Sequence, residues 1–409
     1  MIRFVLHLFF LTVVSSTTVY YQCFDWSLAN QPRSDLYNQL SSDLQILKDS
    51  GVTGVWIAPP SQTADKAGYL PGEWYNIRES SMLQSVTSKM RDMGMTVMLD
   101  IVINHRTGAS VDSCTKQYTV FADPVWHDDR VVKNDWLCSS SDVTVPDNCG
   151  PGNYDTGENA CYAPDIDHTN ANSRQDIIDW LKWLQQNYNA QAWRFDMAVG
   201  YGGEFVGDYV SATNPQFSFG EYWKNSVPEI SSWLQATGFK SHAFDFPLRY
   251  TLQGCIQSNN FAGMMVSGAH PPGVMGVYPQ YSATFTDDHD TARNDRFGNT
   301  QQIIMGYAYL LTHPGTPFIF YSDWQDGTIQ AAIKPMLQIR DDHSLGSTEQ
   351  IYMAAHEGGL YAAYLGSGAT CLGCGTVAMK LGTNSWQPPT NGQWNLATSG
   401  DNYAIWYKS

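Results

Sequence analysis

Short, almost uninterrupted apolar segments recur along most of the chain, and stretches with helical spacing of apolar residues lie between them. Strands that are hydrophobic on both faces are typical of a buried parallel sheet covered by helices. The eight segments are VYYQCF (19–24), VTGVWIAPP (52–60), TVMLDIVINH (96–105), AWRFDMAV (192–199), FSFGEYW (217–223), HAFDFPL (242–248), SATFTDDHD (282–290) and TPFIFYSDW (316–324). Eight strand–helix alternations predict an α/β fold in which the sheet closes into a (β/α)8 TIM barrel.

Two parts of the chain depart from this alternation. A long segment between His105 and Ser173 is rich in Gly, Asn, Asp and Ser, and a loop of that length usually has structure and function of its own. After residue 345, short alternating runs separated by Gly, Asn and Pro predict an antiparallel sheet. We therefore expect a catalytic barrel of residues 18–105 and 169–345, an inserted loop-rich domain of residues 106–168 after strand 3, and a C-terminal antiparallel β domain of residues 346–409.

The N-terminus has the pattern of a secretory signal. Arg3 precedes an apolar run over 4–14, and the small residues Ser15 and Ser16 follow it. This run is too short to span a bilayer, so residues 1–17 are predicted to be a cleaved signal peptide and the protein to be secreted. No other apolar run is long enough for a membrane helix, and no membrane partner is expected.

Secretion would place the eight cysteines in an oxidising compartment, where pairing is the default. Cys371 and Cys374 form a CxxC, which we interpret as a local disulfide and not as a redox or zinc site. The sequence leaves open whether Cys23 and Cys255 pair. The cysteines of the inserted segment are sufficient for two bridges and are Cys114, Cys138, Cys149 and Cys161.

The charge balance restricts the class of ligand. Lys and Arg total 23 against 39 Asp and Glu, a net charge of −16, which argues against nucleic acid and anionic membranes as partners. A neutral or cationic ligand fits better. The aromatic share of 13% is high and suits a surface on which sugar rings stack, although many secreted proteins have the same composition.

Polar side chains cluster at the carboxyl ends of the predicted strands. They are Asp100, Asn104 and His105 on the third strand, Arg194 and Asp196 on the fourth, Glu221 on the fifth, and Asp287, Asp288, His289 and Asp290 on the seventh. In barrels this rim is where active sites are built. Any one acidic residue at a strand end is readily explained as a solvated group or a helix cap, but carboxylates from three strands indicate a functional site.

Alternation along WRFDMAVGY (193–201) directs Arg194 and Asp196 to the same side of their strand. Alone, this pair fits a structural ion pair as well as a catalytic one. Glycoside cleavage requires one ionised carboxylate and one kept protonated. Arg194 is expected to lower the pKa of Asp196 and keep it charged. The aromatic neighbours of Glu221, including Trp223, are expected to raise the pKa of Glu221.

Four short motifs, in order, resemble those of α-amylases in the retaining (β/α)8 glycoside hydrolase clan. They are DIVINH (100–105), WRFDMAVGY (193–201), FGEYW (219–223) and FTDDHD (285–290). The flanking sequences are similar to those of the plant-type enzymes. Examples are GVWIAPPS, GYLPGEWY, APDIDH and the C-terminal GDNYAIWYK. The resemblance covers essentially the whole mature chain.

The resemblance implies a role for each matching residue. Asp196 would be the nucleophile, Glu221 the acid/base and Asp290 the third catalytic carboxylate. Arg194 would orient the nucleophile, and the family's substrate-binding positions correspond to Arg194, His105, His289, Tyr69 and Trp223. An isolated histidine is more often structural, but His105 and His289 both directly follow strand-end motif residues.

The resemblance also implies a structural Ca²⁺ between the barrel and the inserted domain. The matching metal positions are Asn104, Asp155, Asp165 and the main-chain oxygen of Gly200. Oxygen-only ligands are those that calcium takes. The alternative for Asp155 is a turn residue before Thr-Gly.

Two positions depart from, or extend, the family pattern. Asp288 stands where an asparagine is common, and an added carboxylate at this site is expected to shift the pH optimum. Tyr361, in GLYAAY, matches a C-terminal tyrosine that can bind sugar in plant relatives; the alternative is ordinary sheet surface.

The function implied is endo-acting, retaining hydrolysis of internal α-1,4-glucosidic bonds in starch, glycogen or maltooligosaccharides by a secreted monomer. One alternative is a related exo-glucosidase or transglycosylase acting on maltooligosaccharides. A second, of another class, is a catalytically silent glycan-binding protein.

Overall fold

The computed structural model describes residues 17–134, 146–159, 163–266, 270–390 and 393–408. Eight parallel strands form a closed barrel in chain order, which confirms the predicted fold class. They are β1 (Tyr20–Cys23), β2 (Gly54–Ile57), β3 (Thr96–Ile101), β4 (Ala192–Phe195), β5 (Phe217–Gly220), β6 (His242–Phe244), β7 (Ser282–Phe285) and β8 (Thr316–Phe320). Each strand is shorter than its apolar segment, so most polar residues of the motifs lie beyond the strand ends, whereas Asp100 and Arg194 lie within β3 and β4.

Helices surround the barrel and cover its apolar outer face. They are α1 (Arg33–Asp49), α2 (Ser80–Asp92), α3 (Ala171–Tyr188), α4 (Gly203–Thr213), α5 (Val227–Ala236), α6 (Phe246–Ser258), α7 (His289–Asn294), α8 (Thr300–Leu310), α9 (Tyr321–Gln325) and α10 (Gly327–Asp342). After α1, Gly51 adopts φ +97°, a left-handed conformation that glycine tolerates at a helix end. Within the described part of the chain, no helix is both long and apolar enough to cross a membrane.

The barrel interior is filled by side chains, most of them aromatic, as expected for a packed core and not a pore. Residues two apart on a strand point the same way, so alternate positions from several strands meet inside. This inner cluster consists of Tyr20, Trp56, Met98, Ala192, Phe217, Phe219, Phe244, Phe246, Ala283, Phe285 and Phe318.

The segment between β3 and α3 has little regular structure where it is described, only short 3₁₀ turns and isolated bridges. Arg106 anchors it: the buried guanidinium lies 4.7–5.0 Å from the ring centres of Trp74, Phe121 and Trp126. Cation–π contacts of this kind are strongest where water is excluded. The segment between β3 and α3 therefore packs on the barrel through an aromatic cluster.

A disulfide joins Cys114 to Cys149 in the inserted segment. Cys138 and Cys161 lie outside the described residues, as does almost all of the predicted signal peptide. Cys371 and Cys374 form the predicted local bridge. Cys23 and Cys255 are buried free thiols, which answers the question that the sequence left open.

A five-stranded antiparallel sheet follows the barrel, in the order β12-β13-β11-β10-β9. Its strands are β9 (Ile351–Glu357), β10 (Leu360–Leu365), β11 (Val377–Leu381), β12 (Trp394–Gly400) and β13 (Tyr403–Lys408). Both interpretations of Tyr361, sugar-binding or surface, are wrong. Tyr361 is fully buried, and its hydroxyl lies 2.8 Å from Nε2 of His313, just beyond α8. The first residues of β10 therefore pack against the barrel instead of facing solvent.

Candidate active site

Arg194 lies at the centre of a cluster of three carboxyl groups. Its Nη1 is 2.8 Å from Oδ1 of Asp100 and also contacts Oδ1 of Asp196. Its Nη2 is 2.7 Å from Oε1 of Glu221, close enough for an ion pair although not aligned as a hydrogen bond. The guanidinium is fully buried against the ring of Trp56. One cation therefore contacts two of the three predicted catalytic carboxyl groups, those of Asp196 and Glu221.

The register of the parallel strands explains why these groups meet. Arg194 in β4 is level with Asp100 in β3 and with Phe219 in β5. The backbone pairing continues one step past the strand ends, because Asp196 N–H donates to Ile101 and Glu221 N–H donates to Phe195. Both catalytic candidates are thus held at a defined height on the barrel rim.

Met197 directs a backbone donor at Glu221. Its φ of 43° lies in the left-handed region, which is unfavourable for residues other than glycine. In this conformation its N–H donates to Oε2 of Glu221 at 2.9 Å. Strained residues cluster at functional sites when the surroundings enforce them. Here the strained residue directly follows Asp196, and its N–H group orients the carboxyl group of Glu221.

Burial raises the pKa of both carboxyl groups. The pKa of Glu221 is well above its ordinary value because burial outweighs Arg194, and Asp196 raises it further. Burial also raises the pKa of Asp196 to about 7, with Arg194 the largest opposing influence. The expected direction is confirmed for Glu221. For Asp196 the expected effect of Arg194 is present, but the expected net lowering is wrong because desolvation is larger.

Asp290 lies in the first turn of α7 and faces the same site. Trp26 Nε1 donates to Oδ1 of Asp290 at 2.9 Å, and Nε2 of His289 is 3.1 Å from Oδ2. Burial raises the pKa of Asp290, and the tryptophan hydrogen bond lowers it. The Asp290 carboxyl group is therefore held by the Trp26 hydrogen bond, with the His289 ring beside it.

Tyr69 connects the remaining predicted residues. Its hydroxyl donates to Oδ2 of Asp100 at 2.9 Å, its ring stacks on His289 with centres 5.2 Å apart, and its carbonyl lies 2.7 Å from Nε2 of His105. The loop that carries Tyr69 folds around Asp65, whose carboxylate accepts backbone N–H groups from residues 67–70. Tyr69 is thereby positioned from both ends.

These groups line one cavity of about 520 Å³ at the rim. Its lining includes Tyr69, His105, Asp196, Glu221, Trp223, His289 and Asp290. Trp223 stacks on Phe246, with ring centres 4.8 Å apart, so its plane is fixed. Arg194, which the sequence analysis groups with the substrate-binding residues, is not among the lining residues. It lies below the cavity and acts on the carboxyl groups.

The residues expected to hold calcium converge beside this cavity. Asn104 Nδ2 donates to Oδ1 of Asp165 at 2.9 Å, and a side chain at Gly200 would collide with the Asn104 carboxamide. Glu158 N–H donates to Val199, which brings the segment that contains Asp155 against residues 199–201. Asn104 Oδ1 is buried and has no hydrogen-bond partner among the described residues. An oxygen so placed fits a metal ligand.

Besides Met197 and Asp65, sequence reasoning missed three more residues that contact the predicted site. Gln22 contacts His289, Trp26 contacts Asp290, and Trp56 donates to Asp100 at 3.0 Å. Gln22 had a signal, because it is a polar side chain inside the buried apolar run YYQCF. The two tryptophans had none, since aromatic residues in strands and in the turns after them are common in cores.

Two carboxyl groups joined by one arginine at the carboxyl-terminal rim of a (β/α)8 barrel, with a third facing the same cavity, define a barrel glycoside hydrolase. Residues 29–349 match the family described as Alpha amylase, catalytic domain, and residues 343–407 match the Alpha-amylase C-terminal beta-sheet domain. The chain therefore belongs to the α-amylase family of glycoside hydrolases.

Individual relatives agree with this assignment. The chain is 33% identical to Probable alpha-amylase 2 of Arabidopsis thaliana, across 95% of this chain and 93% of that protein. It is 30% identical to Alpha-amylase 3, chloroplastic, of the same plant, across 95% of this chain and 44% of that longer protein. A solved α-amylase structure from Malbranchea cinnamomea matches with a TM-score of 0.72 at 16% identity, covering 96% of each chain, which supports the fold.

Proposed function

We propose that this glycoside hydrolase is an endo-acting, retaining α-amylase that cleaves internal α-1,4-glucosidic bonds in starch or glycogen. The observation that carries the proposal is the single Arg194 guanidinium that contacts both Asp196 and Glu221. Carboxyl groups that share one guanidinium lie close together. This favours the separation of about 5 Å found in retaining enzymes over the roughly 6.5–9.5 Å of inverting ones.

In this mechanism Asp196 attacks the anomeric carbon while Glu221 donates a proton to the departing glycosidic oxygen. A covalent glycosyl–Asp196 ester forms and the glycosidic bond breaks. Glu221, now ionised, removes a proton from water, which attacks the anomeric carbon and releases Asp196. Glu221 suits the acid role because its pKa is raised well above its ordinary value. Met197 N–H and Arg194 stabilise the ionised Glu221 between the two steps.

The other residues of the cavity would bind and orient the sugar. His105, His289 and Asp290 line the cavity with polar atoms, and Tyr69 and Trp223 offer aromatic faces. A sugar ring has both apolar faces and hydroxyl edges, so this mixture suits it. Asp290 would strengthen its hold on the ring as positive charge develops in the transition state.

The test is to incubate the protein with soluble starch, follow products by chromatography and record the anomeric form of new ends by NMR. The expected result is a ladder of short α-anomeric maltooligosaccharides. One dominant product released from chain ends would indicate the exo-acting alternative, and longer products than the substrate would indicate transglycosylation. Glycan binding without any turnover would indicate the silent binding protein.

Asp196→Asn and Glu221→Gln test the assigned roles. Both substitutions conserve shape and remove the ionisable group, so binding should persist while the rate falls by about 10³-fold or more. Asp92→Asn, on the exposed end of α2, is a matched control that should leave the rate unchanged. Appreciable turnover by either active-site variant would remove the role assigned to that residue.

We also propose that Asn104, Asp155, Asp165 and the carbonyl of Gly200 hold a structural Ca²⁺. The buried, unpartnered Oδ1 of Asn104 and the oxygen-only donor set support this. The ion would add no chemistry to bond cleavage; it would join the inserted segment to the residues that follow β4. This placement would stiffen the approach to Asp196.

We propose the processing, secretion and domain division of the protein from its sequence. Residues 1–17 would be a signal peptide of a secreted monomer. The chain would divide into a barrel of residues 18–105 and 169–345, an inserted domain of residues 106–168 and a C-terminal domain of residues 346–409. Mass spectrometry of the N-terminus of the protein recovered from the medium would test the cleavage position.

A further inference from the structure

Gln22 is a buried amide in the floor of the site. It lies on β1, two residues after Tyr20, so both side chains point into the barrel. Only 1% of Gln22 is exposed. A buried amide requires hydrogen-bond partners, and the chemistry of the amide restricts the protonation state of its partner.

That partner is His289. Nε2 of Gln22 lies 2.8 Å from Nδ1 of His289. An amide nitrogen can only donate, so Nδ1 must accept and carries no proton. On the other side of the ring, Nε2 of His289 lies 3.1 Å from Oδ2 of Asp290, close enough for an ion pair although not aligned as a hydrogen bond. With Nδ1 accepting from Gln22, a neutral imidazole carries its proton on Nε2, the nitrogen that lies beside Asp290.

The surroundings of His289 favour the neutral ring. Tyr69, Trp26 and Phe24 enclose it with ring centres 5.2–5.6 Å away. The pKa of His289 is lowered to about 4, mainly by burial; Arg194 acts in the same direction and nearby carboxylates oppose it. The charged groups that face the ring are Asp290, Asp288, Arg194, Asp100 and Asp25.

We propose that Gln22 is a positioning residue that selects the Nε2–H tautomer of His289 and opposes protonation of Nδ1. With Nδ1 occupied by an amide donor, the imidazolium form would place two N–H groups against each other. The single ring proton is therefore held toward Asp290. No other described side chain is shown in contact with Nδ1.

The consequence for the reaction rests on the proposed function. His289 and Asp290 both line the cavity, so a sugar hydroxyl there would meet one fixed donor and one fixed acceptor. If the tautomer were reversed, Nε2 would become an acceptor beside a carboxylate. Two acceptors would then face the same hydroxyl, and substrate would be held out of position.

The experiment is long-range ¹H–¹⁵N NMR of the protein with ¹⁵N-labelled histidine and no substrate. Signals that disappear in His289→Gln identify the ring. The wild type should show a protonated Nε2 and an unprotonated Nδ1 at pH 7. Gln22→Glu keeps the size of the side chain but offers an acceptor to Nδ1–H, so His289 should become imidazolium near pH 6. Gln39→Glu, an exposed change on α1, is the charge-matched control and should leave the ring neutral.

A wild-type spectrum with the proton on Nδ1, or with both nitrogens protonated at pH 7, would overturn the proposal. So would an unchanged His289 signal in folded Gln22→Glu. If that variant does not fold, the wild-type spectrum alone decides. Because the spectra need no turnover, an inactive protein would disprove the proposed function without affecting this test. In an active protein, Gln22→Glu should lower kcat/KM by about tenfold or more.

Discussion

At the scale of single residues, the site depends on one cation serving several carboxyl groups. Arg194 contacts Asp100, Asp196 and Glu221, and all four side chains are buried or nearly so. One positive charge cannot balance three negative ones where water is absent. Keeping the proton on Glu221 reduces the imbalance. Protonation of Glu221, which the proposed acid role requires, is thus also the state that burial of this cluster favours.

This charge imbalance predicts a stability cost at Asp196. Its pKa is raised from the ordinary 3.8 to about 7, so between these values the folded protein binds more protons than the unfolded one. The free energy of unfolding therefore falls as pH rises through this window. Asp196→Asn removes the cost and should stabilise the protein above pH 7 by about 0.5–2 kcal/mol. The gain should vanish near pH 4.

Urea unfolding of both proteins from pH 4 to pH 8 measures the effect. Asp92→Asn serves again as the control, since the Asp92 side chain is 69% exposed. A variant that is no more stable than the wild type at pH 8 would contradict the prediction.

At the scale of elements, the seventh apolar segment divides into a strand, β7, and the start of a helix, α7. β7 ends at Phe285, and Asp288 begins α7 by accepting N–H groups from Asp290 and Thr291. The Thr291 hydroxyl accepts from the backbone of Asp288, which completes a capping box. Asp288 is therefore a structural cap as well as a charge near the site.

Asp288→Asn separates these two roles. Asparagine caps a helix as well as aspartate does, so α7 should remain intact. The negative charge of Asp288 contributes to raising the pKa of Glu221, and its removal should lower that pKa. The alkaline limb of kcat/KM should move to lower pH, by up to about one unit.

The pH profile of kcat/KM, recorded for the wild type and for the variant, checks this. Asp288→Ala lacks both the charge and the cap and should also lose about 1 kcal/mol of stability. An alkaline limb that stays in place or moves upward in Asp288→Asn would show that the charge does not act on Glu221.

At the scale of the whole molecule, the barrel and the C-terminal sheet share a buried polar contact. Nδ1 of His313 donates to the carbonyl of Tyr309 at 2.8 Å, so Nε2 of the neutral ring accepts from the Tyr361 hydroxyl at 2.8 Å. Burial lowers the pKa of His313 to about 3, so the ring is neutral. The sheet is therefore tied to α8 by a specific hydrogen bond within an apolar interface.

Tyr361→Phe should destabilise the protein by about 1–3 kcal/mol, because it leaves a buried nitrogen of His313 without a partner. Denaturant unfolding would measure the loss, and the rate of starch hydrolysis below the transition should not change. Tyr403→Phe, a buried tyrosine of the same sheet, is the comparison. A lower rate of hydrolysis in Tyr361→Phe, measured where the variant is still folded, would instead connect Tyr361 to the active site.

The proposed Ca²⁺ also acts at this scale. An ion bound only by the folded protein stabilises it, so excess chelator should lower the Tm by several degrees. Asn104→Ala should already melt lower and respond little to chelator. Metal analysis of the purified protein would accompany the melting curves. A wild-type curve that chelator leaves unchanged, in protein free of calcium, would remove the site.

The sequence alone determined the architecture and led to the proposed catalytic carboxyl groups. Eight apolar segments predicted the barrel, because burial on both faces of a parallel sheet leaves a pattern that needs no knowledge of contacts. Alternation of side chains was enough to put Arg194 and Asp196 on one side of β4. The strand-end position of Glu221 and its aromatic neighbours indicated an acid with a raised pKa.

Only the tertiary structure decided the pKa values of the buried carboxyl groups and which neutral side chains contact the site. The net pKa of Asp196 depends on desolvation by groups distant in sequence, which no local pattern reports. The contacts of Gln22 and Trp26 with α7 depend on closure of the barrel, which brings β1 beside β8 and near β7. Tyr361 was misread for the same reason: alternation marks two faces of a strand, but only packing decides which face is covered.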